Sequence, residues 1–514
     1  MSQVPSSVLF NRPSSSTPAI TTEVKFIPDS TSEFSYSSSQ FINIPIRTSI
    51  ENAFLDARHS YLKFTIENTS ATGTANQPID LYFDGLASSI IKRFTITAGG
   101  ITLSNIDNYN RLVDLLMEHW SSDDFQREMA ILAGHTQKYG TDGEILGAKF
   151  GGIDGNNKIP AGQSRTYCIP IISQFLLNKL LPLCFMSNAF LTLNVMLEDP
   201  RVAFITEGKQ LYGLSQIQFN NCVNYKVKNV EYVASIISFR DNNLVQSLGK
   251  TMLNEGLYIH GTDYTCYTHT IVKGTGKSSY DFNIPDRSQS MKYILNTFYQ
   301  ALPDSKFSNL QSCVAGTTSY QISLGGVNYP QSKPISYGNG NFIEPYLQLQ
   351  RVSSNGYFSS SNHTNVELST FSRQNPNSLQ QYTNGLITGT TDAEYRPIIT
   401  SNAGVNPAIV HRVARANKVY ASSFVQCLGF ESFANASGIE CGINTALLNV
   451  PISIKFDRDI DTYKDYNGYG NNPDDGTAGD IDTNIGFPEF TMITWVAYDV
   501  IWKLDNTGLF TVLK

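Results

Sequence analysis

A segment running from Ser39 to Gly100 recurs, shortened, from Ser279 to Gly326. The first copy reads S-Q-F-I-N-I-P (Ser39 to Pro45), S-Y-L-K-F-T-I (Ser60 to Ile66) and F-T-I-T-A-G-G-I (Phe94 to Ile101). The second reads S-Y-D-F-N-I-P (Ser279 to Pro285), S-M-K-Y-I-L (Ser290 to Leu295) and Y-Q-I-S-L-G-G-V (Tyr320 to Val327). A strand closed by Asn-Ile-Pro, a long alternating strand and an aromatic-x-Ile-x-x-Gly-Gly strand end thus follow one another twice, in one order. The period is about half the chain, far beyond the roughly 20–50 residues of a solenoid unit. Two copies of one whole β domain are expected.

Length agrees, since 514 residues exceed what one hydrophobic core fills. The 27 Tyr and 29 Phe favour pleated, half-buried surfaces. Charged residues make up only 16%, so Ser, Thr, Asn and Gln must cover much of the surface, or partners must. The net charge is −7 and no Lys/Arg cluster is present, which removes the dominant affinity term for phosphate backbones and speaks against direct nucleic-acid binding. Seven cysteines are scattered without a C-x-x-C pair, so they read as buried reduced thiols rather than zinc or redox ligands. No signal-peptide core, myristoylation motif or run of eighteen apolar residues is found, so a protein made without secretion is expected. The sequons at Asn68, Asn362 and Asn435 then mean no more than exposed loops.

Along the chain, residues 1–38 read as a Ser-rich flexible arm, disordered or ordered only against a neighbouring subunit. Residues 39–240 read as a first eight-stranded unit, 241–270 as a linker and 271–514 as a second unit. Ile42, Ile44 and Ile46 alternate with Phe41, Asn43 and Pro45, the proline marking a strand end or edge. Leu62, Phe64 and Ile66 share one face of the next strand. Tyr109, Leu112, Val113, Leu116 and Trp120 form a helical stripe, capped by Asp107 or Asn108. Short helices are also expected over Gln174–Leu181 and Asn243–Leu253. Long polar excursions follow the third strand in both units (101–164 and 327–418), and 457–488 is a second excursion in the latter. The arrangement is that of a jelly roll with loops lengthened at one end.

Motifs that promise chemistry fall short. Lys273-Gly-Thr-Gly-Lys-Ser278 has Ile271 where a phosphate-binding loop needs its first Gly, and reads as a hairpin turn. Asp457-Arg-Asp459-Ile-Asp461 begins like a calcium loop, but Thr462 and Gly468 occupy the Gly and Glu positions. It reads as a solvated acidic loop able at most to hold an adventitious cation. Of seven histidines only His260 and His269 fall within one strand pair, and none has ligand-spaced companions. No nucleophile elbow or zinc-hydrolase motif is present. No catalytic, cofactor-binding or metal residue is assigned, and no enzymatic activity, cofactor or small-molecule substrate is expected.

These residues resemble the double jelly-roll major capsid proteins of DNA viruses, and within them those of polinton-like viruses, virophages and related eukaryotic viruses. The resemblance is carried by F-I-N-I-P (Phe41 to Pro45), F-L-D-A-R-H-S-Y-L-K-F (Phe54 to Phe64) and R-T-Y-C-I-P-I (Arg165 to Ile171). L-P-L-C-F (Leu181 to Phe185), A-F-L-T-L-N-V (Ala189 to Val195) and S-G-I-E-C-G-I-N-T (Ser437 to Thr445) add to it. It implies an all-β chain of two tandem eight-stranded jelly rolls with long loops and one or two short helices. It also implies a homotrimeric, pseudo-hexagonal capsomer of an icosahedral virion, made in the host cytoplasm. Neighbouring capsomers, penton and minor capsid proteins would be its partners, with a membrane beneath the shell in some family members. The alternatives are a jelly-roll carbohydrate-binding protein or glycosidase, for which a signal peptide would be expected, and a viral fibre, for which short repeats or a stalk would be.

Overall fold

The computed structural model describes residues 19–29, 31–36, 41–70, 81–83, 85–121, 132–134, 159–186, 190–206, 223–240, 242–272, 277–300, 312, 314–337, 342–353, 371, 386–387, 399–400, 424–431, 442–446, 452–459 and 490–513. The first unit runs β1 (Ala19–Phe26), β2 (Glu33–Ser35), β3 (Phe41–Ile46), β4 (Ala53–Asn68), β5 (Leu81–Phe83), β6 (Ile91–Ala98) and β7 (Ile101–Asp107). Helix α1 (Tyr109–Trp120), β8 (Ser164–Ile169), α2 (Gln174–Leu177), β9 (Leu191–Leu197), α3 (Pro200–Ala203), β10 (Phe204–Thr206) and β11 (Tyr225–Phe239) complete it. Helix α4 (Asn242–Asn254) leads into β12 (Leu257–Ile271), β13 (Lys277–Ile284), β14 (Met291–Gln300), β15 (Thr317–Leu324), β16 (Val327–Tyr329) and β17 (Ile335–Ser336). After α5 (Ile343–Ser353) come β18 (Leu386–Ile387), β19 (Ile399–Thr400), β20 (Gln426–Gly429), β21 (Ile452–Asp459), β22 (Phe490–Leu504) and β23 (Phe510–Leu513).

Two sheets face each other in each unit, each built on a path of four strands, with β2, β17 and β23 as short additions to three of them. Their orders are β1-β11-β4-β8 and β3-β9-β6-β7 in the first, β12-β22-β14-β20 and β13-β21-β15-β16 in the second. Ranked by chain position among these eight, both units read first-eighth-third-sixth and second-seventh-fourth-fifth, every ladder antiparallel. That order is the jelly roll, present twice. Its directions have a consequence. The fifth and seventh strands run the same way, as do the sixth and eighth, so the long connections 5–6 and 7–8 emerge at one end of each sandwich.

The repeated peptides occupy equal ranks. Asn-Ile-Pro closes β3 and falls at the end of β13, and Pro45 sits in an edge strand whose one ladder partner among the described residues is β9. Gly99-Gly100 and Gly325-Gly326 are the two-residue turns of the β6–β7 and β15–β16 hairpins, with φ of 56° and 83° and of 58° and 83°. Both residues of such a turn need positive φ to match strand twist, which is why glycine recurs there. Ile42, Ile44 and Ile46 of one sheet and Leu62, Phe64 and Ile66 of the other are all buried in the same core cluster.

The boundaries differ from those expected. Ala19–Phe26 lies in the expected arm yet is the first jelly-roll strand, paired along its length with Phe239–Tyr232 of β11, and β2 extends the same ladder. Residues 1–18 lie outside the described residues. The expected linker holds α4, as anticipated, but then β12, whose fifteen residues pair with the whole of β22. Both first strands escaped because they are unlike in sequence, and because β1, though Ile20, Val24 and Phe26 share one face, is exposed along most of its length and adjoins a Ser-rich stretch. Helix α5 went unexpected in a polar stretch; it holds the place after the fifth strand that α1 holds in the first unit. Asn108 does precede α1, but in a left-handed conformation without a side-chain cap. Its amide instead donates to Cys266 Sγ at 3.3 Å.

Candidate functional site

The most built polar and aromatic constellation lies where the two units meet. From the first unit come β7, α1 and the turn carrying α2; from the second come β12, β22, β14 and β23. The indole Nε1 of Trp502 donates to the Leu103 carbonyl at 2.8 Å, and its ring stands edge-on to Phe175 at 5.2 Å. Phe175 also meets Phe510 edge-on at 5.5 Å. Ser104 Oγ donates to Asp263 Oδ1 at 2.8 Å, and Tyr498 donates to the other oxygen at 3.3 Å. A carboxylate only 4% exposed thus has a hydroxyl from each unit, as a buried carboxylate requires. The Thr262 amide donates to Gln174 Oε1 at 2.5 Å, and Asn178 Nδ2 to the His260 carbonyl. Arg111 lies over the Tyr299 ring, its guanidinium 4.6 Å from the centroid.

Local sequence makes this close approach possible. Gly261 sits against Trp502, and a Cβ there would come within 2.8 Å of the indole ring. Helix α1 carries apolar residues round more than one face, so that Tyr109, Leu112, Val113, Leu115, Leu116 and Trp120 are all buried. Such a helix must be covered on two sides. A cavity of about 10 Å³ remains between α1 and β12, roughly the threshold for one water, so the joint is packed rather than open to a ligand. The buried side chains of both units form one continuous cluster.

The motifs set aside in the sequence are absorbed by strands. Asp457, Arg458 and Asp459 lie in β21, not in a loop. Asp457 accepts from Ser279 Oγ at 2.6 Å and Ser319 Oγ at 2.8 Å, and Asp459 pairs with Lys277 at 3.1 Å. Arg458 is buried, donating to the Ala315 carbonyl at 2.9 Å. Residues 460–468 and 273–276 lie outside the described residues. His260 and His269 share one strand nine positions apart, on opposite faces and about 30 Å apart. Among the described residues no group of three or more His, Cys, Asp or Glu is placed to hold a metal. Cys168, Cys184, Cys266 and Cys427 are unpaired thiols, and burial pushes Cys184 and Cys266 up to about 11, away from thiolate chemistry. Asn68 is no exposed sequon: it is fully buried, donating to the Ile159 carbonyl at 2.8 Å. No helix among the described residues is long and apolar enough to cross a membrane.

The aromatics of Tyr109–Trp120 and Phe490–Trp502 are buried, and several of them face the other unit as well as their own core. One signal was available. In Met492–Trp502 apolar residues stand at both parities, the mark of a strand covered on two faces.

No protein-family model and no curated protein sequence matches the chain. Solved structures do. The Sputnik virophage structure solved by cryo-EM superposes with a TM-score of 0.56 at 12% identity, covering 100% of this chain and 92% of that one. The mavirus major capsid protein gives 0.52 at 10% identity over 100% and 95% of the two chains. The Faustovirus major capsid protein gives 0.52 at 7% identity over 96% and 92%. Strand order, doubling and full-length superposition agree, and this chain has the double jelly-roll fold of those viral capsid proteins.

Proposed function

We propose that the chain is the major structural subunit of an icosahedral DNA-virus shell and works as a homotrimer with a six-lobed outline. The observation that carries the reading is one strand order repeated in two barrels that a buried joint locks side by side. A trimer of single barrels has a triangular outline; doubling supplies six near-equivalent walls, which tile a hexagonal lattice. Residues 19–239 and 257–513 are then its two domains. The long connections that share one end of each sandwich form the outward tower, and the opposite end faces minor capsid proteins or a membrane. Neighbouring capsomers and penton proteins are the lateral partners, and the protein resides in the virion after synthesis in the host cytoplasm. With a net charge of −7 it holds the genome by enclosure rather than by contact.

Light scattering of the purified chain tests this. Three copies of the 56.9 kDa chain give about 171 kDa. A stable 56.9 kDa species that binds oligosaccharides would favour the carbohydrate-binding reading instead.

A further inference from the structure

We infer that the exposed apolar face of helix α5, with Ile343 and Leu347, is covered by edge strand β1 of a second copy of this chain. The contact repeats the one by which α1 and β7 are covered by β12 inside a single copy. The inference rests on the trimeric reading above and names its contact surface.

Equal rank in the two units is the argument. Inside one copy, the fifth strand and following helix of the first unit (β7, α1) meet the first strand of the second unit (β12). Both sides are buried there: Leu112, Leu116 and Trp120 on the helix, Thr262, Asp263 and Tyr264 on the strand. The same two parts occur once more, and among the described residues neither meets an element of the rank that covers its equivalent in the joint. Helix α5 follows the fifth strand of the second unit, and Ile343 and Leu347, one turn apart on one face, are 57% and 50% exposed. Val327, which opens β16, is also exposed. Strand β1 is the first strand of the first unit; it pairs with β11 on one side, and among the described residues its other edge carries no ladder. Ile20 in it is 41% exposed, although β12, of equal rank, is buried through its middle. An edge strand of eight residues, open along one side, is a surface for pairing with another chain.

One copy therefore holds one complete joint and two half-joints of complementary kind on different units. A contact between unlike halves is head-to-tail, and such contacts close into a ring when the rotation allows. Every contact in a closed ring of three is then the same pair of surfaces, so a lesion on either half removes all three.

Four proteins test the inference by light scattering of the full chain, with circular dichroism and thermal melting to show that each is folded. The wild type is expected near 171 kDa, as three copies of 56.9 kDa. Ile343→Glu with Leu347→Glu, and separately Ile20→Glu, are each expected to fall to 56.9 kDa with the fold retained, since these side chains are already exposed. Phe190→Glu alters the 72% exposed Phe190, which is in neither half, and is expected to stay trimeric. Mixing the helix and strand variants at high concentration restores one intact pair of halves and predicts a dimer of about 114 kDa, twice 56.9 kDa. Hydroxyl-radical footprinting of the wild type gives a second readout free of mutation: Ile20, Ile343 and Leu347 should be protected in the trimer and Phe190 not. Trimers that survive both sets of Glu substitutions, or a mixture that stays at 56.9 kDa, overturn the assigned surface and leave the shell reading standing. A wild type that is monomeric at every concentration removes both.

Discussion

The indole of Trp502 makes two distinct contributions at the joint, an edge-on ring contact with Phe175 and a hydrogen bond to the Leu103 carbonyl of the other unit. Trp502→Ala removes both and leaves a cavity, and is expected to cost about 3–5 kcal/mol in urea unfolding. Trp502→Phe keeps most of the packing but strands the buried carbonyl, for about 1–3 kcal/mol. A loss smaller than about 0.5 kcal/mol in the Ala variant would mean that the joint is not closed in solution. A second residue gives a pH signature. Burial raises Asp286 above the ordinary aspartate value, against the opposing hydrogen bonds from Ser288, Tyr267 and Thr445. A carboxyl raised by folding favours the fold when protonated. Its contribution is complete below the unfolded value of about 3.8 and is lost as pH rises through the folded value. Asp286→Asn should therefore raise the urea midpoint at pH 7 relative to wild type, with the difference vanishing below about pH 3.8. A difference that instead grows toward acid would contradict the assignment.

At the scale of elements, the paired glycine hairpins offer an internal comparison. A Cβ on Gly100 or Gly326 meets nothing within 4 Å, yet both hold φ of +83°. Gly100→Ala and Gly326→Ala should thus each cost about 1–2 kcal/mol through backbone strain alone, and by similar amounts. Strand β1 gives a sharper test. Deleting residues 1–18 should leave the melting profile unchanged, whereas deleting 1–38 also removes the buried Phe26 and Phe34 and bares β11, and should yield insoluble protein. Equal solubility of the two truncations would count against β1 as part of the first barrel. These elements also show how far the sequence was legible. Strands with one wet face, such as β3, β4 and β9, display the alternation that burial imposes, and the Gly-Gly turns mark their own hairpin. Strand β1 alternates only weakly, with Val24 and Phe26 turned inward and the rest exposed, because little of it is buried within one copy. Strand β12 hid in an expected linker because its middle is covered by the other unit rather than by a single sandwich core. The joint was the least legible part. Ser104, Gln174, Asp263 and Trp502 lie far apart in the chain, and only the docking of two units brings their hydrogen-bonding atoms together.

For the whole molecule, doubling matters because the joint makes two barrels one rigid block. In the proposed role a tile must transmit lateral load without hinging, and a hinge is what a polar linker between independent domains would supply. Here the buried side chains run without interruption from one sandwich into the other, so heating should give one cooperative transition for both units rather than two. The measurement that bears most directly on the account is class averaging of negatively stained, dilute purified protein. The account predicts compact particles with threefold symmetry and six lobes of similar size. Isolated two-lobed particles, or threefold particles with three lobes, would contradict it.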